Sequence, residues 1–228
     1  MMPIRDENPS QSTPYVTHAL ILANVLVFGY EVWLALQGRL EEFIYTYGMV
    51  PARVVQGEAL HTLLTGMFLH GGVLHLLGNM LYLYIFGDNV EDAMGHRRYL
   101  LFYILCGLSA SALQIAINPA SEVPNVGASG AIAGVLGAYF VTYPFARVHT
   151  LIFLGYFVRW VSLPAVVLLG FWFVFQLLAG TATLEAMRLG YGGVAYFAHV
   201  GGFVAGMLLA GIFRKTQPMR RSGGTLWF

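Results

Sequence analysis

The sequence predicts an all-α polytopic membrane protein, a bundle of six transmembrane helices with a short, recessed fourth helix. Three observations carry that prediction. The 228 residues are 57% hydrophobic and only 10% charged, where soluble domains carry about 25% charged residues. Mean hydropathy is +0.67. The apolar residues gather into six runs punctuated by Pro, Gly or charged residues, and the cations fall to one side of those runs.

Taken in order, residues 1–16 hold Pro3, Pro9 and Pro14 among Ser, Gln and Asn, with no apolar core leading to a small-residue cleavage site. They read as a disordered cytoplasmic tail rather than a removable signal peptide. Runs suited to about 30 Å of hydrocarbon extend over Thr17–Leu36, Leu69–Phe86, Tyr99–Ile117, Gly130–Tyr143, Leu163–Ala179 and Val194–Phe213. Residues 17–213 thus form one six-span domain, and 214–228 a basic cytoplasmic tail. The fourth run stops at Pro144 and, at about 1.5 Å per residue, covers only about 21 Å. Between the first two runs, Gln37–Phe68 mixes Glu41, Glu42, Arg53 and Glu58 with Phe43, Tyr45 and Tyr47, which suits an amphipathic segment in the outer interface or an ordinary folded loop. Asn118–Ala128, with Pro119, Pro124 and Gly127, leads into a helix too short to span. It is expected to dip into the protein, as irregular backbone can where it lines a watered cavity. The single cysteine, Cys106, has no partner for an internal disulfide and reads as a small core hydrophobe.

With a cytoplasmic N-terminus, Arg5, Arg97, Arg98, Arg147, Arg159, Arg214, Lys215, Arg220 and Arg221 lie inside, and only Arg39, Arg53 and Arg188 outside. That bias places both termini in the cytoplasm. The second, fourth and sixth spans then enter from the outer side. A net charge of +1 gives no support for a nucleic-acid partner. The partners expected are the lipid bilayer and membrane-protein substrates carrying a transmembrane helix.

Orientation gives meaning to four polar residues. Ser129 heads the fourth span, His199 lies about one turn into the sixth, and His75 and Asn79 occupy the first turns of the second. All four fall in the outer third of the membrane, with Ser129 about 10 Å below the outer surface. Intramembrane polar groups are costly and usually functional. Ser129 is a weak nucleophile until a base takes its proton, and His199 is the candidate base. Small residues support their approach: Gly202 and Gly206 share the face of His199, and Ala133 and Gly137 follow Ser129 at i+4 and i+8. Gly127 and Gly130 flank the serine. His75 and Asn79, four apart, share a helix face. Alone, that spacing fits an interhelical hydrogen-bonded pair better. Beside Ser129 and its backbone N–H it also fits a set of oxyanion donors. Asp88, Glu91 and Asp92 lie at the cytoplasmic end of the second span, too far to orient His199, so a Ser–His dyad is the economical reading.

These residues resemble the rhomboid family of intramembrane serine proteases. The resemblance rests on Gly127-Ala128-Ser129-Gly130, on Ala198-His199 with Gly202 and Gly206, and on His70-Gly71-Gly72-Val73-Leu74-His75-Leu76-Leu77-Gly78-Asn79-Met80, over about Tyr47 to Phe213. It implies a prokaryotic, six-span enzyme of a bacterial or archaeal plasma membrane whose site opens to the outer side. It also implies that Ser129 is the nucleophile, His199 the general base and His75 with Asn79 oxyanion donors, with no cofactor and no metal. His70 matches a family histidine read here as structural. Two departures stand out: Leu60-His61 replaces a frequent Trp-Arg, and Ala133 stands where some members carry a tyrosine packed on the catalytic imidazole, so that another residue must support His199.

Other chemistries fit less well. Ala131 breaks the Gly-x-Ser-x-Gly elbow of α/β-hydrolases, and no His-Glu-x-x-His motif supports a zinc protease. A small transporter would use broken helices, but no internal repeat is evident. A catalytically inactive rhomboid-like protein that binds membrane clients is the remaining alternative, although such proteins usually lack the serine or histidine kept here.

Overall fold

The computed structural model describes residues 1–155, 157–188 and 193–215; most of the expected basic tail over 214–228 lies outside them. Helices dominate. They are α1 (Tyr15–Leu36), α2 (Leu40–Tyr47), α3 (Pro51–Val55), α4 (Thr62–Thr65), α5 (Val73–Met94), α6 (His96–Ile117), α7 (Ser129–Thr142), α8 (Ala165–Arg188) and α9 (Tyr196–Phe213), with a 3₁₀ turn at Gly66–Phe68. Four of them, α1, α6, α8 and α9, are long and apolar enough to cross a membrane. A fifth span is reached if the segment Thr62–Phe68 is counted with α5, from which it is bent by 94°.

Helix α7 forms the centre. Every residue from Gly130 to Tyr139 is buried, as expected of a helix that is apolar on all sides and surrounded by others. Its 14 residues match the short helix expected before Pro144. It packs most closely on α9, and also on α5, α6 and α8.

Glycine sets that closeness. A Cβ on Gly202 would lie 1.9 Å from the Gly130 carbonyl oxygen, and one on Gly206 would lie 1.9 Å from that of Gly134. On the facing helix, a Cβ on Gly137 would come within 2.1 Å of the Phe203 carbonyl. The small residues of both helices thus line the seam, with Ala133 Cβ also within 3.4 Å of a Cβ on Gly202, and backbone carbonyls fill the space that side chains would need. Gly201, one position before Gly202, faces α6, where a Cβ would sit 2.9 Å from Leu113 Cβ. Cys106 is fully buried against Gly134.

Three sequence expectations need correction. The fold is not all-α: β1 (Met2–Asp6), β2 (Arg147–Leu154) and β3 (Phe157–Pro164) form an antiparallel sheet in the order β1-β2-β3. The β2–β3 hairpin joins α7 to α8 and is rich in β-branched and aromatic residues, which favour strands.

Second, the expected disordered tail is ordered. β1 pairs with β2 from Met2↔Leu151 to Asp6↔Val148. Beyond it, Asp92 accepts from Gln11 N–H at 3.0 Å and from the Ser12 hydroxyl at 2.5 Å, and Asn8 bonds to Asn89. Buried Glu91 accepts from the Val16 and Thr17 amides at 2.9 and 2.7 Å and from the Thr17 hydroxyl at 2.7 Å. A carboxylate at the start of α1 satisfies orphan N–H groups and the positive helix end. The acidic cluster thus anchors the N-terminal segment.

Third, the second span does not begin at Leu69. Leu69–Gly72 is the bend, and α5 runs on to Met94. Gly95, at φ 81°, turns the chain directly into α6. In the Gln37–Phe68 region the chain forms α2, α3, α4 and the 3₁₀ turn, so it is a folded connection. Asn118–Ala128 is held to that connection: Met49 and Asn125 exchange backbone hydrogen bonds at 3.0 and 2.8 Å, and Gly127 N–H donates to the Gly66 carbonyl at 2.9 Å.

Two outcomes follow. Replacing Gly202 or Gly206 by Ala pushes α9 off α7 and should destabilise the protein by about 1–3 kcal/mol. Gly211→Ala, which meets nothing within 4 Å, should be near neutral; unfolding in detergent micelles compares them. Asp6 bonds the Tyr139 hydroxyl of α7 at 2.5 Å, and burial lifts its carboxyl to about 6. The folded state therefore favours the protonated acid. Its contribution to docking of β1 is complete below the ordinary carboxylate range and is lost as pH rises through about 6. Amide exchange in β1 should slow between pH 7 and pH 5, and Asp6→Asn should flatten that dependence.

Candidate active site

The close seam between α7 and α9 brings two side chains together. Ser129 is the first residue of α7 and His199 lies in the first turn of α9. His199 Nε2 is 2.8 Å from Ser129 Oγ, within hydrogen-bond reach for proton transfer. No side chain caps the N-terminus of α7. The first N–H groups of a helix have no intrahelical partners, so donors and a positive helix end accompany the serine hydroxyl.

Both side chains open onto a cavity of about 580 Å³. Its walls come from α5 (Leu74, His75, Gly78, Asn79, Tyr82), from Val123–Val126, from α7 and from Trp172 of α8. The loop expected to dip inward thus lines the cavity with the serine. His75 reaches the site through Gly127, at φ 129°. A Cβ on Gly127 would lie 2.8 Å from the His75 ring at Cε1 and Nε2. Only glycine accommodates both that backbone angle and that imidazole.

Asn79 lines the same cavity, but its Nδ2 also lies 2.9 Å from His70 Nε2. His70 is buried and tied in several directions: its N–H donates to the Glu31 carboxylate of α1 at 3.1 and 3.2 Å, and its Nδ1 lies 3.3 Å from the Phe68 carbonyl. The structure therefore brings Ser129, His199, His75 and Asn79 to one cavity, with His70 behind Asn79. Gly130, Gly202 and Gly206 lie in the supporting seam.

Two contacts on His199 were missed in the sequence. Trp172 packs on the imidazole with ring centroids 5.9 Å apart at 33°, taking the role left open by Ala133. Gln176, one turn further along α8, places its Oε1 2.8 Å from His199 Nδ1. The available signal was a Trp and a Gln four apart on one face of an otherwise apolar helix, Trp172-x-x-x-Gln176. Among the described residues, no group of three His, Cys, Asp or Glu is placed to hold a metal ion. Leu60 is exposed and His61 packs edge-on against Tyr47 at 6.2 Å, away from the cavity.

Residues 57–216 match the family profile described as the Rhomboid domain. RHOMBOID-like protein 4 of Arabidopsis thaliana is 34% identical over 165 residues, covering 71% of this chain and 36% of that protein. Rhomboid protease GluP of Bacillus subtilis is 42% identical over 85 residues, 37% of this chain and 16% of that one. Rhomboid protein 1, mitochondrial, of Saccharomyces cerevisiae is 26% identical over 222 residues, 93% of this chain and 58% of its own length. The chain spans roughly a third of the plant relative and less than two thirds of each of the others. With a domain match across most of its length and the family's motifs gathered around one cavity, the chain belongs to the rhomboid family.

Proposed function

We propose that this protein is an intramembrane serine endopeptidase that cuts transmembrane or juxtamembrane segments of other membrane proteins by a Ser129–His199 dyad. The observation that carries the reading is the 2.8 Å contact between His199 Nε2 and Ser129 Oγ beside an open cavity. As the Ser129 oxygen attacks the scissile carbonyl, its proton passes to His199 Nε2. The carbonyl oxygen becomes an anion facing the Ser129 N–H, His75 and Asn79. His199 then returns the proton to the leaving amine, and water hydrolyses the acyl-enzyme with His199 again acting as base. Such donors act strongly in a site sheltered from bulk water. A transmembrane helix pairs its own peptide groups, so a substrate must unwind locally to present a carbonyl to the serine. Resemblance to the rhomboid family implies substrates with helix-destabilising Gly or Pro near the cut and a small residue before it.

In this reading six helices cross or enter the membrane, with α7 recessed and both termini cytoplasmic. The nine inner cations against three outer ones support that orientation. The site then opens to the outer side. The membrane this reading assigns is a bacterial or archaeal plasma membrane.

Ser129→Ala should abolish cleavage of a single-span substrate and labelling by a fluorophosphonate while leaving thermal unfolding unchanged; persistent cleavage overturns the reading. Loss of one oxyanion donor typically costs about 10²–10³ in rate. His75→Ala and Asn79→Ala should each lower kcat in that direction, the asparagine variant also loosening His70. A double variant cutting at the wild-type rate would leave both residues with structural roles only.

A further inference from the structure

Gln176 faces the catalytic pair from the helix that no motif marks. It is 5% exposed, in an apolar helix where an unpaired amide would be costly. Its Oε1 lies 2.8 Å from His199 Nδ1, while His199 Nε2 lies 2.8 Å from Ser129 Oγ. A carboxamide oxygen only accepts. With Oε1 toward the ring, as the structure has it, the contact is a hydrogen bond in which Nδ1–H donates. With Nδ1 protonated, neutral His199 presents a bare Nε2 to the serine hydroxyl. Trp172, one turn earlier, packs on the same imidazole and on Phe203, each at 5.9 Å between centroids. One face of α8 thus supplies both the ring's support and its hydrogen-bond acceptor.

We propose that Gln176 is a positioning residue for His199, holding the imidazole in the Nδ1-protonated tautomer with Nε2 aimed at Ser129 Oγ. The inference rests on the protease reading above. During attack, a bond forms between Ser129 Oγ and the carbonyl carbon as the hydroxyl proton moves to Nε2. The C=O electron pair goes to oxygen, and the imidazolium keeps its Nδ1–H bonded to Oε1. That bond strengthens as the ring gains charge. A carboxylate is the more familiar partner in this position. A neutral amide orients the ring without placing a second charge in the bilayer, where ions are expensive. The other groups facing His199 are Ser129 from α7, His75 from α5 across the cavity and Tyr196 at 6.4 Å on α9 itself. Among the described residues no carboxylate forms an ion pair with it.

The test uses the full-length protein in micelles. Gln176→Leu should lower kcat about 10-fold, the order typical of removing the hydrogen-bond partner of a working histidine, with KM within about twofold of wild type. The acid limb of kcat, where the base is lost by protonation, should move to lower pH because the imidazolium has lost its acceptor. Gln176→Glu keeps an acceptor and should recover activity above the Leu variant, with that limb at higher pH. Histidine ¹⁵N spectra of the wild-type protein, assigned by loss of the signal in His199→Ala, give a readout independent of any variant's folding. A protonated, pyrrole-type Nδ1 on His199 is expected in the neutral ring. A pyridine-type Nδ1, or wild-type kcat and pH limb in Gln176→Leu, overturns the proposal. Cleavage that survives Ser129→Ala would instead remove the protease reading itself.

Discussion

The structure depends on backbone-to-backbone contact between α7 and α9. Where Gly202 and Gly206 meet the carbonyls of Gly130 and Gly134, no side chain fits between the helices. Dispersion and close packing drive such association in lipid, where lipid tails remove the hydrophobic incentive that operates in water. The same approach places Ser Oγ, a short arm at the first residue of α7, within hydrogen-bond reach of an imidazole on α9. A bulkier seam would separate the helices and the pair with them. Packing and chemistry are set here by one geometric choice.

Around that seam, the polar groups are arranged in a connected series. Glu31 on α1 accepts from the His70 amide, His70 meets Asn79, and Asn79 shares the cavity with His75, Ser129 and His199. On the far side, His199 meets Gln176. Buried polar groups must find partners, and in a bilayer the penalty for failing is larger. The network therefore fixes the rotamers of the groups that face the cavity. Apart from His70, which lies in the bend before α5, its members sit on α1, α5, α7, α8 and α9, so the site is built on helices rather than suspended in a loop.

The opposite end of the bundle, where α5 meets α6, follows a different logic. Glu91 and Asp92 gather the N-terminal segment onto α5, and Asp6 of β1 reaches the Tyr139 hydroxyl on α7, ten residues beyond Ser129 on the same helix. Strand β1 extends the β2–β3 hairpin that connects α7 to α8. The short central helix is thereby held at both ends: at its start by the α9 seam and the loop pinned to Gly66, and at its end by the sheet. A helix of 14 residues cannot anchor itself in both interfaces, and these contacts replace the missing turns.

Much of this could be read from the sequence. Six apolar runs, the short helix ending before Pro144, and the pairing of Ser129 with His199 follow from composition, helical spacing and the cost of polar groups in lipid. So does the dipping loop, because a short helix leaves irregular backbone to fill its depth. The ordered N-terminal strand did not, since Pro3, Pro9 and Pro14 look like a tail until a hairpin offers an unpaired edge. Nor did the capping role of Glu91, since Val16 and Thr17, whose amides it accepts from, lie more than seventy residues away. Gln176 is the clearest case. The sequence determined that a glutamine lies one turn beyond a tryptophan on α8, a local fact of 3.6-residue periodicity. Only the tertiary structure decided that this face meets His199, because the rotation of α8 about its own axis is set by packing against α7 and α9 and not by anything within the helix.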